Sequence, residues 1–298
     1  MQDLSGRRAF ITGAASGIGL GTARALAAAG VHVILSDVRG GPLEVAATAL
    51  AAAGARVHAI ELDVTDRSAW GEVATRVERE YGAVDILCSN AGVNFIGAGQ
   101  EATFEDWDFC LSVNLGGAIN AVRTFVPGMV RRRAGHVVVT SSVAGLYATA
   151  GAGCYTTSKF ALVGLAESLR ADLAGHGVGV SVLCPGPVKS ELFESTAAVR
   201  PQALAATGSV PVIPPGTSRE DTAIYRTALA PEEVGRRVLE GIRRNALYIM
   251  THAEIRPVLE ARAAAQLAAL PREADDPERR AAMPLLLDPS LYRKPGAQ

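Results

Sequence analysis

The 298-residue chain has few aromatic residues, three lysines and four cysteines, and no excess of either charge. The cysteines, Cys88, Cys110, Cys154 and Cys184, form no Cys-x-x-Cys pair, which argues against a disulfide framework or a zinc knuckle. A formal net charge of −1 gives no field that would gather nucleic acid or an anionic membrane. The N-terminus leads into a short apolar run that Gly13 interrupts, without the long apolar stretch of a signal peptide or membrane helix. These absences predict a protein of a reducing, cytoplasmic compartment that binds neither nucleic acid nor membrane.

Short β-rich runs alternate with helical stretches rich in alanine, leucine and valine, as in strand–helix units wound into a parallel sheet. The predicted strands are Arg8–Thr12, Val31–Ser36, Arg56–Leu62, Ile86–Ser89, His136–Ser141, Gly179–Cys184 and Leu247–Met250. The predicted helices are Gly17–Ala29, Pro42–Ala53, Arg67–Tyr81, Phe104–Val113, Leu115–Arg132, Tyr155–His176 and Glu232–Arg243. Length alone allows one or two domains. The alternation predicts a single doubly wound α/β domain.

Residues 187–230 interrupt this alternation and contain Pro201, Pro211, Pro214 and Pro215. A long irregular segment inside a compact domain is usually a functional loop or lid. An unstructured surface insertion is the alternative. Beyond the last strand, Ala253–Leu270 is predicted to be helical, and the tail, residues 271–298, is expected to pack on a surface or a neighbouring subunit.

A glycine-rich turn, Thr12-Gly-Ala-Ala-Ser-Gly-Ile-Gly19, joins the first predicted strand to the first helix. A pyrophosphate needs backbone N–H groups directed at it, no Cβ in the way and the partial positive charge of a helix N-terminus. Glycines also occur in ordinary strand-to-helix turns, so the motif alone is weak. Its position predicts a dinucleotide-binding loop made of Gly13, Ser16, Gly17, Ile18 and Gly19.

Asp37 ends the second predicted strand, where an acid can accept hydrogen bonds from the adenosine ribose hydroxyls. Its carboxylate would repel the 2′-phosphate of NADP, and Ser16 offers that phosphate no positive charge, so the pair favours NAD. Arg39 is the counter-argument, because a guanidinium two residues on could meet a phosphate. Asp37 could also simply cap a turn.

Further candidate residues follow the later strands, at the edge of an open sheet where ligands bind. Asp63 and Val64 are expected to hold the adenine. Small residues of the Asn90-Ala-Gly92 turn would admit the adenine ribose. After the sixth strand, the candidates are Pro185, Gly186, Val188 and Ser190, with the Val188 backbone and Ser190 hydroxyl expected to hold the nicotinamide carboxamide.

Tyr155 and Lys159 lie four residues apart and therefore on one face of a predicted helix. A nearby positive charge lowers the pKa of a phenol toward the range useful for proton transfer, and the nicotinamide charge would add to this effect. Ser142, at a strand end, could orient a substrate carbonyl, with Ser141 as the fallback. Asn114 is a carboxamide within an apolar helical stretch. The alternatives are a surface Tyr–Lys pair, an ordinary strand-end serine and an asparagine that bends its helix.

The ordered set of motifs resembles the classical short-chain dehydrogenase/reductase family. It comprises Thr12-Gly-x-x-x-Gly-x-Gly19, Asp63, Asn90-Ala-Gly92, Asn114, Ser142, Tyr155-x-x-x-Lys159 and Pro185-Gly186, and it covers about residues 5–250. The resemblance implies a Rossmann-type sheet and, commonly, a homotetramer. It implies Tyr155 as general acid/base, Lys159 as the group that binds ribose and lowers the tyrosine pKa, and Ser142 as the carbonyl-positioning group. It also implies that Asn114 supports a water-linked proton relay.

The longer C-terminal part, with Asn245-Ala-Leu-Tyr-Ile249 and a helix at Glu254–Glu260, resembles the extended bacterial NAD-dependent secondary-alcohol dehydrogenases. Residues 1–250 are therefore predicted to be the dinucleotide-binding and catalytic domain, with a lid at 187–230. Residues 251–298 are predicted to be a helical extension and tail. The lid carries apolar side chains, as do nearby loops; they are Leu192, Phe193, Ala197, Val199, Leu204, Val210, Val212, Ile213, Phe95, Ile96, Leu146 and Tyr147.

These features predict an oxidoreductase that moves hydride between NAD(H) and a small hydrophobic secondary alcohol or ketone. A 3-oxoacyl thioester reductase would use the same four catalytic groups, although Asp37 argues against the NADPH that such enzymes often use. An enoyl reductase fits less well, because that branch resembles Tyr-x6-Lys. From a different class, a non-catalytic NAD-binding regulator would not need the Tyr155–Lys159 pair.

Overall fold

The structure contains one parallel sheet of seven strands. The computed structural model describes residues 1–204, 206–207, 218–272, 275–284 and 287–292. The strands are β1 Arg8–Thr12, β2 His32–Asp37, β3 Val57–Glu61, β4 Ile86–Ser89, β5 Gly135–Thr140, β6 Val178–Cys184 and β7 Tyr248–Met250. Their order across the sheet is β3-β2-β1-β4-β5-β6-β7. The order reverses between β1 and β4, which is the position where open α/β sheets bind ligands.

Helices connect the strands, and two more follow the last strand. They are α1 Gly17–Ala28, α2 Gly40–Ala52, α3 Arg67–Tyr81, α4 Phe104–Leu111, α5 Gly117–Arg132, α6 Gly153–Asp172, α7 Leu192–Val199, α8 Ala223–Thr227, α9 Pro231–Arg244, α10 Arg256–Ala268 and α11 Pro277–Ala281. One turn of π-helix, Ser112–Gly116, joins α4 to α5. Asp66 begins α3 by accepting hydrogen bonds from the backbone N–H groups of Ser68 and Ala69, which satisfies two otherwise unpaired donors.

Alternate strand residues supply two apolar cores, one on each face of the sheet. Phe10 and Ile34 belong to one core, together with apolar residues of α3, α5 and α6. Ile11 and Leu35 belong to the other, with residues of α1, α2 and α9. Because both faces are covered, the central strands are apolar almost throughout, as is usual for parallel sheets. The predicted doubly wound, Rossmann-type α/β fold is confirmed.

The predicted elements differ from the observed ones mainly between α4 and α5 and in the lid. The predicted break between helices near residue 114 is instead one continuous helical run containing the π turn. The side chain of Asn114, within that turn, is bonded to the backbone of Val93, so a tertiary contact accompanies the local change in helix geometry.

The lid, predicted to be irregular, contains α7 and α8. The proline-free run 192–199 forms a helix, and Thr222 caps α8 by accepting a hydrogen bond from the Tyr225 N–H. The other predicted lid residues Val210, Pro211, Val212, Ile213, Pro214 and Pro215 lie outside the described residues.

The contacts divide the chain into two units, Met1–His252 and Ala253–Gln298. The first holds the sheet. The second contains α10 and α11, and no residue of either helix is buried. Within the first unit, the helical run Phe104–Arg132 is long and apolar enough to cross a membrane by length and composition alone, a test that core helices of soluble proteins also pass. Ala121, Phe125 and Met129 of this run pack in one of the two cores.

Candidate active site

A cavity of about 360 Å³ lies at the carboxyl ends of the strands, a volume within the usual range for small-molecule sites. The predicted site residues that line it are Gly13, Ser16, Gly17, Ile18, Asp37, Asp63, Val64, Asn90, Ala91, Gly92, Tyr155, Lys159, Pro185 and Ser190. The predicted residues Gly19, Asn114, Ser142, Gly186 and Val188 are not among the residues that line it. The sheet therefore brings the ends of distant sequence motifs to one cavity.

The glycine loop is closely packed against its neighbours. Gly13 and Gly17 have φ angles of +64° and +53°, which side chains other than glycine rarely adopt. A Cβ on Gly19 would come within 2.1 Å of the Gly13 carbonyl oxygen. No side chain caps the first turn of α1 at Ser16, and the N–H groups of a first helical turn have no intrahelical partner. A cradle without Cβ atoms at a helix N-terminus fits the phosphates of a dinucleotide.

Thr12 and Asn90 fix the glycine loop to the end of β4. The Thr12 hydroxyl accepts hydrogen bonds from the backbone N–H groups of Asn90 and Ala91, at 2.9 and 3.0 Å. The Asn90 carboxamide donates to the carbonyl oxygens of Thr12 and Gly13, at 3.1 and 3.2 Å. Asn90 thus acts on the loop backbone. The sequence analysis gave no such role to Thr12, although a hydroxyl at the end of a buried strand was a usable signal.

Asp37 lies at the end of β2 with both carboxylate oxygens bonded to protein. One oxygen accepts from the Arg39 backbone N–H at 3.0 Å and from Arg39 Nε at 3.1 Å. The other accepts from the Ala15 N–H at 3.2 Å. Arg39 Nη2 also donates to the Ser16 hydroxyl at 3.0 Å. The Arg39 guanidinium therefore spans the two residues that were predicted to favour NAD.

Asp63 follows β3 and its side chain is exposed. One of its carboxylate oxygens accepts hydrogen bonds from the backbone N–H and the hydroxyl of Thr65, both at 2.8 Å. This turn holds the Asp63–Val64 segment at the cavity wall.

Tyr155 and Lys159 lie on successive turns near the start of α6. Lys159 Nζ is 5.4 Å from the centre of the Tyr155 ring and donates to the Thr140 carbonyl oxygen at 3.2 Å. Lys159 is only 4% exposed, which excludes the alternative of an ordinary surface pair. A Cβ on Gly92 would lie 3.5 Å from Lys159 Nζ and 3.1 Å from Asn114 Oδ1, so the Asn90-Ala-Gly92 turn passes close to both side chains.

Burial controls the protonation of the pair. It raises the pKa of Tyr155 to about 12, and a hydrogen bond with Ser142 opposes this rise. Burial also lowers the pKa of Lys159 to about 8, with the neighbouring Cys110 and Cys184 opposing the fall. Desolvation of the phenolate is the largest influence on the Tyr155 pKa in this structure, and the lowering of that pKa by Lys159 stays a prediction.

Ser142, and not Ser141, interacts with Tyr155. Ser142 Oγ accepts a hydrogen bond from the Ala144 N–H at 3.1 Å and donates to the Pro185 carbonyl oxygen at 3.5 Å, and this hydroxyl opposes the rise in the pKa of Tyr155. Ser141 Oγ instead donates to the Lys159 carbonyl oxygen at 2.7 Å, on the backbone of α6. The fallback serine therefore serves the packing of the helix.

Asn114 is 1% exposed and its carboxamide is fully bonded within the protein. Its Oδ1 accepts from the Val93 N–H at 2.7 Å, and its Nδ2 donates to the Val93 carbonyl oxygen at 3.1 Å and to Ser158 Oγ at 2.9 Å. These bonds hold the chain after Gly92 against α6. The π turn was not predicted from the sequence, although a polar residue in an apolar helix was the available signal.

The sequence model of the family described as short chain dehydrogenase matches residues 7–200. The chain belongs to the short-chain dehydrogenase family. It is therefore an oxidoreductase of the kind that acts on CH–OH groups with a nicotinamide dinucleotide.

Curated relatives and a solved structure agree with this membership. The chain is 37% identical over 284 residues to a C alpha-dehydrogenase of Sphingobium sp. (strain NBRC 103272 / SYK-6), covering 93% of this chain and 91% of that protein. It is 40% identical over 202 residues to the 1-deoxy-11-beta-hydroxypentalenate dehydrogenase of Streptomyces exfoliatus, covering 66% and 73%. A short-chain dehydrogenase/reductase of Burkholderia phymatum, solved with NAD, superposes with a TM-score of 0.81 at 33% identity, covering 93% and 100%.

In this short-chain dehydrogenase, the segment after β6 is held by backbone contacts. The Gly186 N–H donates to Thr251 Oγ1 at 3.0 Å, and Val188 forms a parallel β-bridge with Leu229. A Cβ on Gly17 would lie 3.1 Å from Ser190 Cβ, so Ser190 lies against the glycine loop. The sequence analysis did not identify Thr251 or Leu229.

The lid of the short-chain dehydrogenase supplies apolar side chains to the cavity. Leu192 and Val199 of α7 line it, together with Pro201 and Phe109. Phe95, expected near the substrate, is instead buried in a small cluster with Cys110 and Cys154. Cys154 is fully buried there and fills space beside Tyr155, as a small hydrophobic residue does.

Proposed function

We propose that this short-chain dehydrogenase interconverts a hydrophobic secondary alcohol and its ketone with NAD(H), using Tyr155 as general acid/base. The observation that carries the proposal is the joint placement of Tyr155 and the buried Lys159 ammonium, 5.4 Å from the tyrosine ring centre, in the cavity that the glycine loop lines. A pure dinucleotide-binding regulator would not need this proton-transfer pair.

Bound along the cavity, a nicotinamide dinucleotide supplies the hydride acceptor in alcohol oxidation and the hydride donor in ketone reduction. Ser142 and Tyr155 orient the substrate oxygen through their hydroxyls. In oxidation, the Tyr155 phenolate accepts the hydroxyl proton, and in reduction the neutral phenol returns it. Lys159 is cationic below a pKa of about 8, so near neutral pH its charge favours the phenolate.

Lys159 also offers an outlet for the proton. Its ammonium lies close to the segment held by Asn114, and we assign to Asn114 the support of a water-linked relay from Tyr155 through Lys159. In the same proposal, Lys159 binds the nicotinamide ribose, and Val188 and Ser190 hold the carboxamide, which fixes the ring face presented to the substrate.

NAD is the cofactor we propose. Gly13, Ser16, Gly17, Ile18 and Gly19 would hold the pyrophosphate. Asp37 would hold the adenosine ribose, with Asp63, Val64, Asn90, Ala91, Gly92, Pro185 and Gly186 lining or supporting the rest of the dinucleotide site. The Asp37 carboxylate supports NAD, and the structure of the Burkholderia phymatum relative contains NAD. Arg39 is the residue through which a 2′-phosphate would have to bind.

The proposed substrate is a small uncharged alcohol or ketone. Leu192, Val199, Pro201 and Phe109 give part of the cavity an apolar wall. Both relatives are dehydrogenases by name, one of them a 1-deoxy-11-beta-hydroxypentalenate dehydrogenase. A panel of aliphatic, cyclic and aryl secondary alcohols, assayed with NAD and NADP, would define the class.

We also propose a homotetramer in the cytoplasm that binds neither nucleic acid nor membrane. The four cysteines are free and buried, which supports a reducing compartment. Light scattering after size-exclusion chromatography tests the tetramer, since a monomeric mass at micromolar concentration would contradict it.

The decisive experiment is Tyr155→Phe. We expect it to abolish alcohol turnover while NADH binding, measured by fluorescence titration, stays within about threefold, because the phenyl ring keeps its packing. Tyr81→Phe is the matched control, because the Tyr81 ring stacks on His58, with 4.0 Å between the ring centroids, and does not line the cavity. This variant should retain full activity. Turnover retained in Tyr155→Phe would refute the role of Tyr155. NADH binding by the wild-type protein, with no activity on the panel, would favour the regulator.

A further inference from the structure

A buried ion pair connects α4 to the lid. Asp106, in the first turn of α4, pairs with Arg200, which directly follows α7. The Asp106 side chain is 1% exposed and that of Arg200 is 13% exposed. Charged groups are almost never buried this far unless they are paired. The two residues, which we call the lid ion pair, are 94 positions apart in the sequence.

Asp106 is held ready for this contact by its own helix. One carboxylate oxygen accepts hydrogen bonds from the backbone N–H and hydroxyl of Thr103, at 3.1 and 3.2 Å, in a capping box. The other oxygen accepts from Arg200 and from the Thr207 hydroxyl, the latter at 2.9 Å. One oxygen therefore anchors α4, and the other is bonded by two lid residues.

The guanidinium of Arg200 also forms hydrogen bonds with the backbone of the lid. Its Nε donates to the Leu204 carbonyl oxygen at 3.0 Å, and Nη2 donates to the Thr207 carbonyl oxygen at 2.9 Å. The guanidinium carbon lies 5.9 Å from the centre of the Phe95 ring and 5.7 Å from that of Phe109, within cation–π range. The charge is thus fixed by hydrogen bonds and by two aromatic rings.

The lid ion pair adjoins residues that line the cavity and, through Phe95, a small buried cluster. Val199 and Pro201, the chain neighbours of Arg200, both line the cavity, as does Phe109 beneath the guanidinium. On the other side, Phe95 packs with Cys110 and with Cys154, the residue before Tyr155. Displacement of Arg200 would therefore move the apolar wall of the cavity that Val199 and Pro201 supply.

We propose that Asp106 and Arg200 are positioning residues that hold α7 and residues 200–204 and 206–207 against the cavity and thereby set its affinity for the alcohol substrate. The substrate part of this inference rests on the proposed function. The placement of the lid does not depend on it. If only a fraction of the molecules has the lid in place, the apparent affinity falls by that fraction.

Hydrogen–deuterium exchange on the full-length protein, without added ligand, tests the structural part. In Arg200→Gln, we expect amides of residues 192–204 to exchange about tenfold faster or more, because lost tertiary contacts promote local opening. Asp106→Asn should have the same effect, and Thr103→Ala reports the loss of the capping box alone. Asp108→Asn, an exposed acid on the same helix, is the matched control and should leave exchange unchanged.

Steady-state kinetics test the functional part. In Arg200→Gln, the KM for the alcohol should rise by roughly tenfold, with kcat within about twofold, since substrate binding restores the lid position. Arg200→Lys should recover part of the affinity, and the double variant should be no worse than the worse single variant. The pH profile, which reports Tyr155, should not change.

Each result decides the question. Unchanged exchange in Arg200→Gln overturns the inference, as does an unchanged KM. A fall in kcat at unchanged KM and exchange would instead assign Arg200 a direct role in the reaction. If Asp106→Asn does not fold, Arg200→Gln alone decides. If the wild-type protein oxidises no alcohol, the proposed function fails, while the exchange data still show whether the lid ion pair holds the lid.

Discussion

The two walls of the cavity are built from different kinds of contact. At the strand ends, Gly13 and Gly19 place backbone directly against backbone, and Thr12 and Asn90 hold that arrangement with short hydrogen bonds. In the lid, side chains make the decisive contacts, above all the lid ion pair and the Thr196 hydroxyl. The wall formed by Gly13, Gly19, Thr12 and Asn90, which we call the backbone wall, has no space for an added atom. The wall formed by the lid, which we call the lid wall, depends on the chemistry of a few side chains.

Gly19→Ala should produce the largest loss. Its Cβ would lie 2.1 Å from the Gly13 carbonyl oxygen and 2.7 Å from Asn90 Nδ2, so the loop must move. We expect loss of NADH binding and a fall in unfolding free energy of about 1–3 kcal/mol. Fluorescence titration and chemical denaturation measure the two effects.

Gly41→Ala is the matched control for the backbone wall. Nothing lies within 4 Å of a Cβ at this helical position, so the substitution should be neutral or slightly stabilising. Normal NADH binding by Gly19→Ala would show that the loop yields easily, and the contrast between the two walls would then fail.

Lys159→Met should lower alcohol oxidation at pH 7 by roughly a hundredfold, the scale of assisted proton transfer. The pKa of Tyr155 is raised to about 12, and oxidation needs the phenolate, so its rate should climb as pH rises from 7 to 10. The Lys159 charge is present below a pKa of about 8, so its loss should lower the rate mainly below that pH, and the two profiles should converge above it. Reduction uses the neutral phenol and should be flat with pH over the same range.

The pH dependence of kcat/KM in both directions checks this prediction, with Lys189→Met as the control. Lys189 Nζ lies 5.9 Å from the centre of the Tyr225 ring in the lid. The Lys189→Met variant should therefore have the same pH profile as the wild type. An unchanged profile in Lys159→Met would mean that Lys159 does not influence the proton on Tyr155.

The backbone wall was largely predictable from the sequence, because close approach requires glycine and such a requirement is visible locally. The strands and most helix ends were also predictable, because apolar patterning is likewise a local property of the sequence. The lid was less predictable. Neither Asp106 nor Arg200 stands out alone, since their pairing joins positions 94 residues apart. The contact of Arg39 with Asp37 and Ser16 also depends on how two loops meet.

Asp37→Ser should change the preference between NAD and NADP. Asp37 forms an ion pair with Arg39 beside the glycine loop. The substitution removes the carboxylate that would repel a 2′-phosphate and releases Arg39 to bind one. We expect the ratio of kcat/KM for NADP to that for NAD to rise about tenfold, equivalent to about 1.4 kcal/mol. Adding Arg39→Ala should reverse the gain, and an unchanged ratio in Asp37→Ser would place the discrimination elsewhere.

Thr196→Val should have the smallest effect, because it removes only the two hydrogen bonds of one hydroxyl in the lid. Thr196 Oγ1 accepts from the Asn94 N–H at 2.9 Å and donates to the Leu192 carbonyl oxygen at 2.6 Å. Valine fills the same volume but leaves the Asn94 donor unpaired, a cost of about 1–3 kcal/mol that lid opening can relieve. We expect a several-fold rise in the KM for the alcohol, with NADH binding unchanged.

Thr196→Ser keeps the hydroxyl and should resemble the wild type, so equal losses in the two variants would point to packing of the methyl group. A loss of NADH binding in Thr196→Val would show that the two walls are coupled, because the lid would then help to hold the dinucleotide.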